Sequence, residues 1–355
     1  MEKGKYKIGI CGHYGGNKNY LDGQTVKTKT ITKQLKLEFG NDNVVTVDTY
    51  GGARKIVKTL FNLIRLMFTC DDIIILPAHN GIQVFAPFVS VFNVFFKKRI
   101  HYVVIGGWLP SFVDEKPIVK KALQQFNSIF VETTTMSTLL KNRKFNNIVL
   151  LKNCKQLDIL DESELCNDIS RPLRICTFSR ILEKKGIEDI VNVIQLLNQN
   201  AEETIYKLDL YGQVDSNYME RFEHFQKEFP AYIEYKGEIP FNKSVNVLRE
   251  YFALIFPTRF FTEGIPGTII DAYASGVPVV AARWQSFDDV IKEGVTGLGF
   301  EFESKDALYN LLKLVSESPE MIIKMKKDCI KEAKSYLPES ALEPLIRELR
   351  QKEIN

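Results

Sequence analysis

Neither a metal site nor a disulfide framework is written in this sequence. Its six cysteines, Cys11, Cys70, Cys154, Cys166, Cys176 and Cys329, include no CxxC pair, and none of the four histidines lies at zinc-site spacing from one. That excludes a small secreted scaffold and fits reduced thiols of a cytosolic protein. The G-x-G-x-x-G fingerprint of dinucleotide binding is missing: the first strand-like run leads into Cys11-Gly-His-Tyr-Gly-Gly16. No DxD metal motif stands out, since Asp71-Asp72 opens a strand. Long hydrophobic runs are missing too. The charge-free Ile82–Phe96 is fifteen residues with Pro87 inside it, short of the roughly 20 that a membrane span needs, so it is expected to be a buried or membrane-touching helix. Polar, basic Met1–Lys7 runs straight into strand-like Ile8–Cys11, and no signal peptide is expected before the fold.

What is present is the material of two ordinary domains. At roughly 100–200 residues per domain, 355 residues make two. With 45% apolar and 26% charged residues the chain can fill two cores, which rules out disorder. The net charge of +3 is unevenly spread. Up to Asp168 there are 23 Lys and Arg against 15 Asp and Glu, giving +8; the remainder has 24 against 29, giving −5. A basic first half suggests an anionic partner. Nucleic acid and an anionic membrane both fit that charge, and so do scattered solvating lysines.

Strand-like and helix-like runs alternate along the whole chain. In the first half strands are expected at Lys7–Cys11, Val44–Val47, Asp72–Leu76, His101–Ile105, Ser128–Val131 and Ile148–Leu151. Helical patterns fall around Thr25–Glu38, Ala53–Phe68, Phe85–Phe96, Ile118–Phe126 and Met136–Lys141. The acidic stretch before Pro172 breaks the pattern and places a boundary there. Strands at Leu173–Phe178, Lys207–Tyr211, Ile233–Lys236, Phe252–Phe256 and Pro278–Ala281 follow, with helices between them and at Ser304–Ser316. A last helix is expected over Glu339–Glu353. Such alternation predicts α/β architecture with parallel sheets covered on both faces. The expected domains are 1–168, 169–335 and a terminal helix in 336–355 that, coming after a finished second sheet, crosses back to the first domain.

Three loops carry candidate chemistry. The stretch Phe256–Val280 reads as a strand end, a Gly/Pro loop, a helix start, a stop at Gly276 and another strand. Gly264 and Gly267 admit close backbone approach. The N–H groups of Gly267, Thr268 and Ile269 would point from the helix start at a phosphate or sugar hydroxyl. Glu263 in the loop and Asp271 one turn into the helix suit vicinal diols, because a carboxylate accepts two hydroxyls at once. Thr268-Ile-Ile-Asp271 equally matches a capping box. The second loop, after Phe178, carries Arg180, Lys184 and Lys185 before Gly186 opens a helix. Cations at a strand's carboxyl end are placed where open α/β sheets bind anions, although a solvated basic loop reads the same way. The third is the glycine turn after the first strand, with His13 beside it.

In order and spacing these pieces resemble the family 4 glycosyltransferases of the two-domain GT-B fold, closely from Arg174 to about Phe300 and more loosely before. The resemblance implies two Rossmann-like domains facing a central cleft, the acceptor on the first and the donor on the second. It matches Arg180 and Lys185 to the pair that holds the donor diphosphate, and Gly15 and Gly16 to the family's glycine loop. In the acidic motif, here Glu263-Gly-Ile-Pro…Asp271-Ala-Tyr-Ala-Ser-Gly-Val-Pro-Val-Val, the first acid goes with the transferred sugar and the second with the ribose. Gly264, Ile265, Pro266, Gly267 and Thr268 complete the donor loop. Two departures stand out. Asp271 replaces the usual Glu, and Val104-Ile-Gly-Gly-Trp-Leu-Pro110 occupies the place where many members carry a His.

The resemblance implies a retaining hexosyltransferase, with Arg180, Lys185 and Glu263 as catalytic residues. Its donor would be a UDP- or GDP-sugar and its acceptor a saccharide or lipid-linked saccharide. No cofactor and no metal are expected, and no nucleic-acid partner, since no nucleic-acid-binding motif is recognised. Bacterial surface-polysaccharide transferases are the subgroup most alike. The expected location is cytoplasmic, peripheral on the inner face of the plasma membrane, through the basic first half, Ile82–Phe96 and Lys97-Lys98-Arg99. A non-catalytic partner subunit and a nucleotide-sugar epimerase on the same fold are the alternative readings.

Overall fold

The computed structural model describes residues 6–16, 23–240 and 243–351. They divide into two units: one runs to Gln156 and resumes at Tyr336, and the other is Leu157–Ser335.

In the first unit β1 (Ile8–Gly12), α1 (Gly23–Phe39), β2 (Val44–Asp48), α2 (Ile56–Thr69), β3 (Asp72–Ile75) and α3 (His79–Phe96) alternate. They are followed by β4 (Arg99–Val103), α4 (Leu109–Glu115), α5 (Pro117–Leu123), β5 (Ser128–Val131), α6 (Thr134–Asn142) and β6 (Ile148–Leu150). The sheet order is β2-β1-β3-β4-β5-β6, and every pairing is parallel. Alternate residues of each strand enter opposite cores, as the period of two requires. Ile8, Ile10, Ile74 and Phe130 pack on one face, and Cys11, Ile73, Ile75, Tyr102 and Ile129 on the other.

The second unit repeats the plan with β7 (Leu173–Phe178), α7 (Ile187–Gln199), β8 (Tyr206–Tyr211), α8 (Met219–Gln226), β9 (Ile233–Gly237), α9 (Ser244–Leu248) and β10 (Ala253–Phe256). It continues through α10 (Gly267–Ala274), β11 (Val279–Ala282), α11 (Phe287–Val290), β12 (Gly297–Phe300), α12 (Lys305–Glu317) and α13 (Glu320–Ala333). Its order is β12-β11-β10-β7-β8-β9, again all parallel. The direction of winding reverses between β7 and β10, and the crevice beyond the carboxyl ends at such a reversal is where open α/β sheets bind ligands.

Several boundaries differ from the sequence reading. The division falls after Gln156, ahead of the acidic stretch, because that stretch is tied into the second unit. Leu160 N–H donates to Ala274 O at 2.8 Å, and Arg249 pairs with Glu164 at 3.3 Å. Strand β12 and helix α13 were not expected. The last helical stretch is two pieces, α14 (Pro338–Ala341) and α15 (Glu343–Arg350), and the end of the expected Glu339–Glu353 helix lies outside the described residues. Leu345, Ile346 and Leu349 of α15 pack with Ile8, Ile10 and Ile74 of the first unit. Among the described residues no helix is long and apolar enough to cross a membrane.

At the amino edge of the first sheet Asp72 is wholly buried and anchors a polar knot. It takes His101 Nε2 at 2.7 Å and Tyr6 OH at 2.7 Å, with Arg99 Nε 3.4 Å away. Arg99 also donates to Glu348 O at 2.6 Å and lies 3.0 Å from Glu348 Oε1 on α15. Arg99 is therefore turned into the fold, and only Lys97 and Lys98 of the expected basic trio remain for a surface. Asp71 accepts the Lys7 N–H at 3.0 Å; the Asp71-Asp72 pair is structural.

Candidate active site

The second unit's loops meet at the β7–β10 reversal. Gly186, in the left-handed region at φ 69°, ends the basic loop because a Cβ there would stand 2.0 Å from Pro257 O. This close approach laces the loop after β7 to the loop after β10, and Arg259 N–H donates to Lys184 O at 2.8 Å. Asp189 on α7 grips the same loop from below, accepting Arg259 Nε at 2.8 Å and Nη2 at 2.7 Å, with Lys305 Nζ 3.1 Å away.

Within this frame Lys185 and Glu263 form an ion pair, and Thr258 Oγ1 donates to Glu263 Oε1 at 3.2 Å. The Lys185 ammonium also lies over the rings of Phe256 at 5.4 Å and Phe260 at 5.0 Å. The two side chains are 17% and 19% exposed, so they are partly shielded yet reachable by a ligand. Arg180 is 56% exposed, and its nearest carboxylate, Asp215, is 3.8 Å away. Its guanidinium is thus loosely held and open to a competing anion. The sequence reading assigned Lys185 and Glu263 to different parts of one ligand; the fold couples them directly.

Helix α10 begins at Gly267 with Pro266 as its N-cap and no side-chain cap. Thr268 is therefore inside the first turn, which removes the capping-box reading of Thr268 and Asp271. The Ile269 N–H already bonds Pro266 O at 3.1 Å, and only the N–H groups of Gly267 and Thr268 lack a backbone acceptor among the described residues. Thr268 Oγ1 is buried without a partner among them. A Cβ on Gly267 would meet nothing within 4 Å, whereas one on Gly212 would stand 1.9 Å from Ser179 O. Internal packing thus demands glycine at 186 and 212 but leaves open space at 267. Gly264 and Ile265 are buried, and Asp271, one turn into the helix, is 4% exposed.

In the first unit Gly15 and Gly16 take φ of 84° and 58°. Asp48 stabilises the turn, accepting the N–H of Tyr14 at 2.9 Å, Gly16 at 2.8 Å and Tyr50 at 2.8 Å. The Gly16 amide is thereby committed within the protein. His13 Nδ1 is 2.8 Å from Thr25 Oγ1. The Gly106-Gly107-Trp108 stretch folds so that Trp108 Nε1 donates to Ile105 O at 2.7 Å, with the Trp108 ring 5.0 Å from exposed His79 and 5.2 Å from Phe112. Nearby, buried Lys27 lies 2.5 Å from Glu132 and donates to Val104 O at 3.1 Å. Sequence reasoning missed Lys27, Glu132, His79, Asp189 and Thr258. Of these, Glu132, Thr258 and His79, each just past a strand's carboxyl end, carried a positional signal. The buried thiols are poor nucleophiles, since burial pushes Cys11 and Cys154 up to about 12.

Two all-parallel six-stranded sheets with flanking helices define a GT-B fold. Sucrose-phosphate synthase from Thermosynechococcus elongatus superposes with a TM-score of 0.78 at 14% identity, over 98% of this chain and 99% of that one. Anabaena HepE in complex with UDP-glucose superposes with a TM-score of 0.72 at 12% identity, over 98% and 99%. More particularly, residues 167–336, which cover most of the second unit, match the family described as Glycosyl transferases group 1. An uncharacterized 41.2 kDa protein in the cps region of Klebsiella pneumoniae is 24% identical over 173 residues, 47% of this chain and 45% of that protein. This match thus spans under half of that relative's length.

Proposed function

We propose that the protein is a retaining glycosyltransferase that moves a hexose from a nucleoside-diphosphate sugar to a saccharide or lipid-linked acceptor. One observation carries the reading. At the reversal of a parallel sheet, in a unit that matches Glycosyl transferases group 1, an open arginine, a shielded Lys185–Glu263 pair and the uncapped start of α10 occupy neighbouring loops. That is a place for an anion bearing hydroxyls.

In this mechanism Arg180 and Lys185 take the diphosphate oxygens, and the N–H groups at the start of α10 add to the field on the charge that grows as the sugar–phosphate bond breaks. The acceptor hydroxyl attacks the anomeric carbon on the face the diphosphate leaves, and its proton passes to a phosphate oxygen. Glu263 orients the transferred sugar and Asp271 the ribose diol. Neither step calls on a metal. The base is uracil or guanine; HepE's complex with UDP-glucose favours UDP. The Klebsiella relative's cps region favours surface-polysaccharide synthesis. Such work places the protein on the cytoplasmic face of an anionic membrane. Screening UDP-, GDP- and ADP-sugars by thermal shift tests the reading. A donor at about 100 times its dissociation constant stabilises by roughly 2.7 kcal/mol, and a panel with no shift and no nucleotide release overturns it.

A further inference from the structure

The outer face of the first unit carries two parallel stripes. Val57, Phe61 and Phe68 of α2 are 78%, 70% and 70% exposed, at spacings that put them on one side of the helix. Val91, Val94 and Phe95 of α3 are 63%, 68% and 80% exposed. Phe68 meets Phe96 edge-on at 4.6 Å, which joins the two helices' apolar stripes. Beside them run exposed Arg54, Lys58, Arg65 and Lys97. Lys55, Lys58 and Arg65 also line a groove of about 460 Å³ between α2 and the edge strand β2.

Acid is scarce on this face, and Asp48, which lines the groove, spends its carboxylate on the N–H groups of Tyr14, Gly16 and Tyr50. Between Thr49 and Lys98 the chain has six Lys and Arg but only Asp71 and Asp72. Asp72 is wholly buried and Asp71 accepts a backbone N–H. Among the described residues no carboxylate pairs with Arg54, Lys58, Arg65 or Lys97. A large apolar patch on a soluble protein marks an interaction surface. Exposed aromatics flanked by unpaired cations are the composition of a helix lying in a lipid interface.

We infer that the α2–α3 face docks the protein onto an anionic lipid bilayer. Phe61, Phe68 and Phe95 enter the boundary between headgroups and acyl chains, and Lys58 and Arg65 sit at headgroup level beside the α2–β2 groove. This rests on the membrane reading above and assigns it a surface. Gly16 of the candidate glycine loop lines the same groove, but its amide is already taken by Asp48, and none of the residues varied below is a candidate nucleotide-binding residue, so nucleotide binding remains an independent measurement.

The test is flotation of the full chain with vesicles of phosphatidylcholine alone and of phosphatidylcholine mixed with phosphatidylglycerol. The wild type floats with the mixed vesicles at low salt and is released at high salt, where screening shortens to a few ångströms. Each cation near such a surface is worth about a fivefold change in partition. Lys58→Gln with Arg65→Gln therefore lowers flotation about 25-fold. Phe61→Ser with Phe95→Ser lowers it at least about tenfold, and UDP or GDP thermal shifts stay unchanged in both. If the wild type floats and both double variants float equally well, this face is wrong and the membrane reading survives. A wild type that never floats refutes both. A dimer in sedimentation that Phe61→Ser with Phe95→Ser makes monomeric, with flotation intact, assigns the face to self-association and overturns the proposal.

Discussion

Lys185→Met isolates one charge. Methionine keeps an unbranched stem against Phe256 and Phe260 but removes the ammonium that pairs with Glu263. Breaking a fully buried pair costs about 3–5 kcal/mol, and an exposed pair is worth about 0–1 kcal/mol. Here both partners are a little under one-fifth exposed, and Thr258 still donates to the carboxylate, so about 1–2 kcal/mol is expected. For a unit of this size each kcal/mol moves Tm by about 2–4 °C, giving a fall of roughly 2–8 °C without ligand. The affinity loss is separate. A charge-assisted hydrogen bond to a diphosphate contributes about 1.5–3 kcal/mol, so titration calorimetry with UDP and GDP should show a drop of roughly 10- to 150-fold for the preferred nucleotide. Glu263→Gln is the control, because it breaks the same ion pair while leaving the cation. It should cost comparable stability yet bind free nucleotide as tightly as the wild type or tighter. Equal affinity losses in the two variants would make the pair a structural brace. Unchanged affinity in Lys185→Met, and in Lys185→Met with Arg180→Ala, would remove the diphosphate assignment altogether.

Other positions give further tests. Gly267→Ala should leave Tm within a degree or so of wild type, since a methyl there meets nothing, but should weaken nucleotide or donor binding measured by calorimetry. Gly186→Ala should lower Tm sharply, because its methyl would collide with Pro257 O. Asp72→Asn should cost about 3–5 kcal/mol in denaturant unfolding of the first unit, because it strips the charge from a buried knot shared by His101, Tyr6 and Arg99. Lys326 on α13 is 2% exposed, and burial lowers its pKa from the ordinary lysine value. Lys326→Met should therefore raise Tm, by an amount corresponding to about 1 kcal/mol or more.

The strands were legible because their apolar runs are short, β-branched and bounded by turns, as in Ile8–Gly12 and Asp72–Ile75. β12 was not legible. Gly297 and Gly299 carry no side chain to signal a strand, and they are needed because Val279 O and Phe287 press on those positions. α13 was hidden by its lysines, one of which, Lys326, lies on the buried face. At the site, the residue types and spacings around Arg180, Lys185 and Glu263 were readable. Their coupling was not, since the Lys185–Glu263 pair depends on the close passage of Gly186 beneath Pro257. The split of the last helix at Leu342 was legible but missed: Pro344 lacks an N–H and fits only the first turn of a new helix, α15. The inward turn of Arg99 depends on three-dimensional partners that no local pattern reports.

The central claim is that the second unit's loops bind a nucleoside-diphosphate sugar and cleave it. The most direct measurement is nucleoside-diphosphate release from UDP- and GDP-sugars, read beside the affinity for free UDP and GDP, in the wild type, Glu263→Gln and Asp271→Asn. The expected result is a crossed pair. Glu263→Gln keeps nucleotide affinity but releases product at least about tenfold more slowly, equivalent to about 1.4 kcal/mol. Asp271→Asn loses affinity for donor and free nucleotide together, also by about tenfold or more. Wild-type binding by Asp271→Asn together with wild-type turnover by Glu263→Gln would contradict the account.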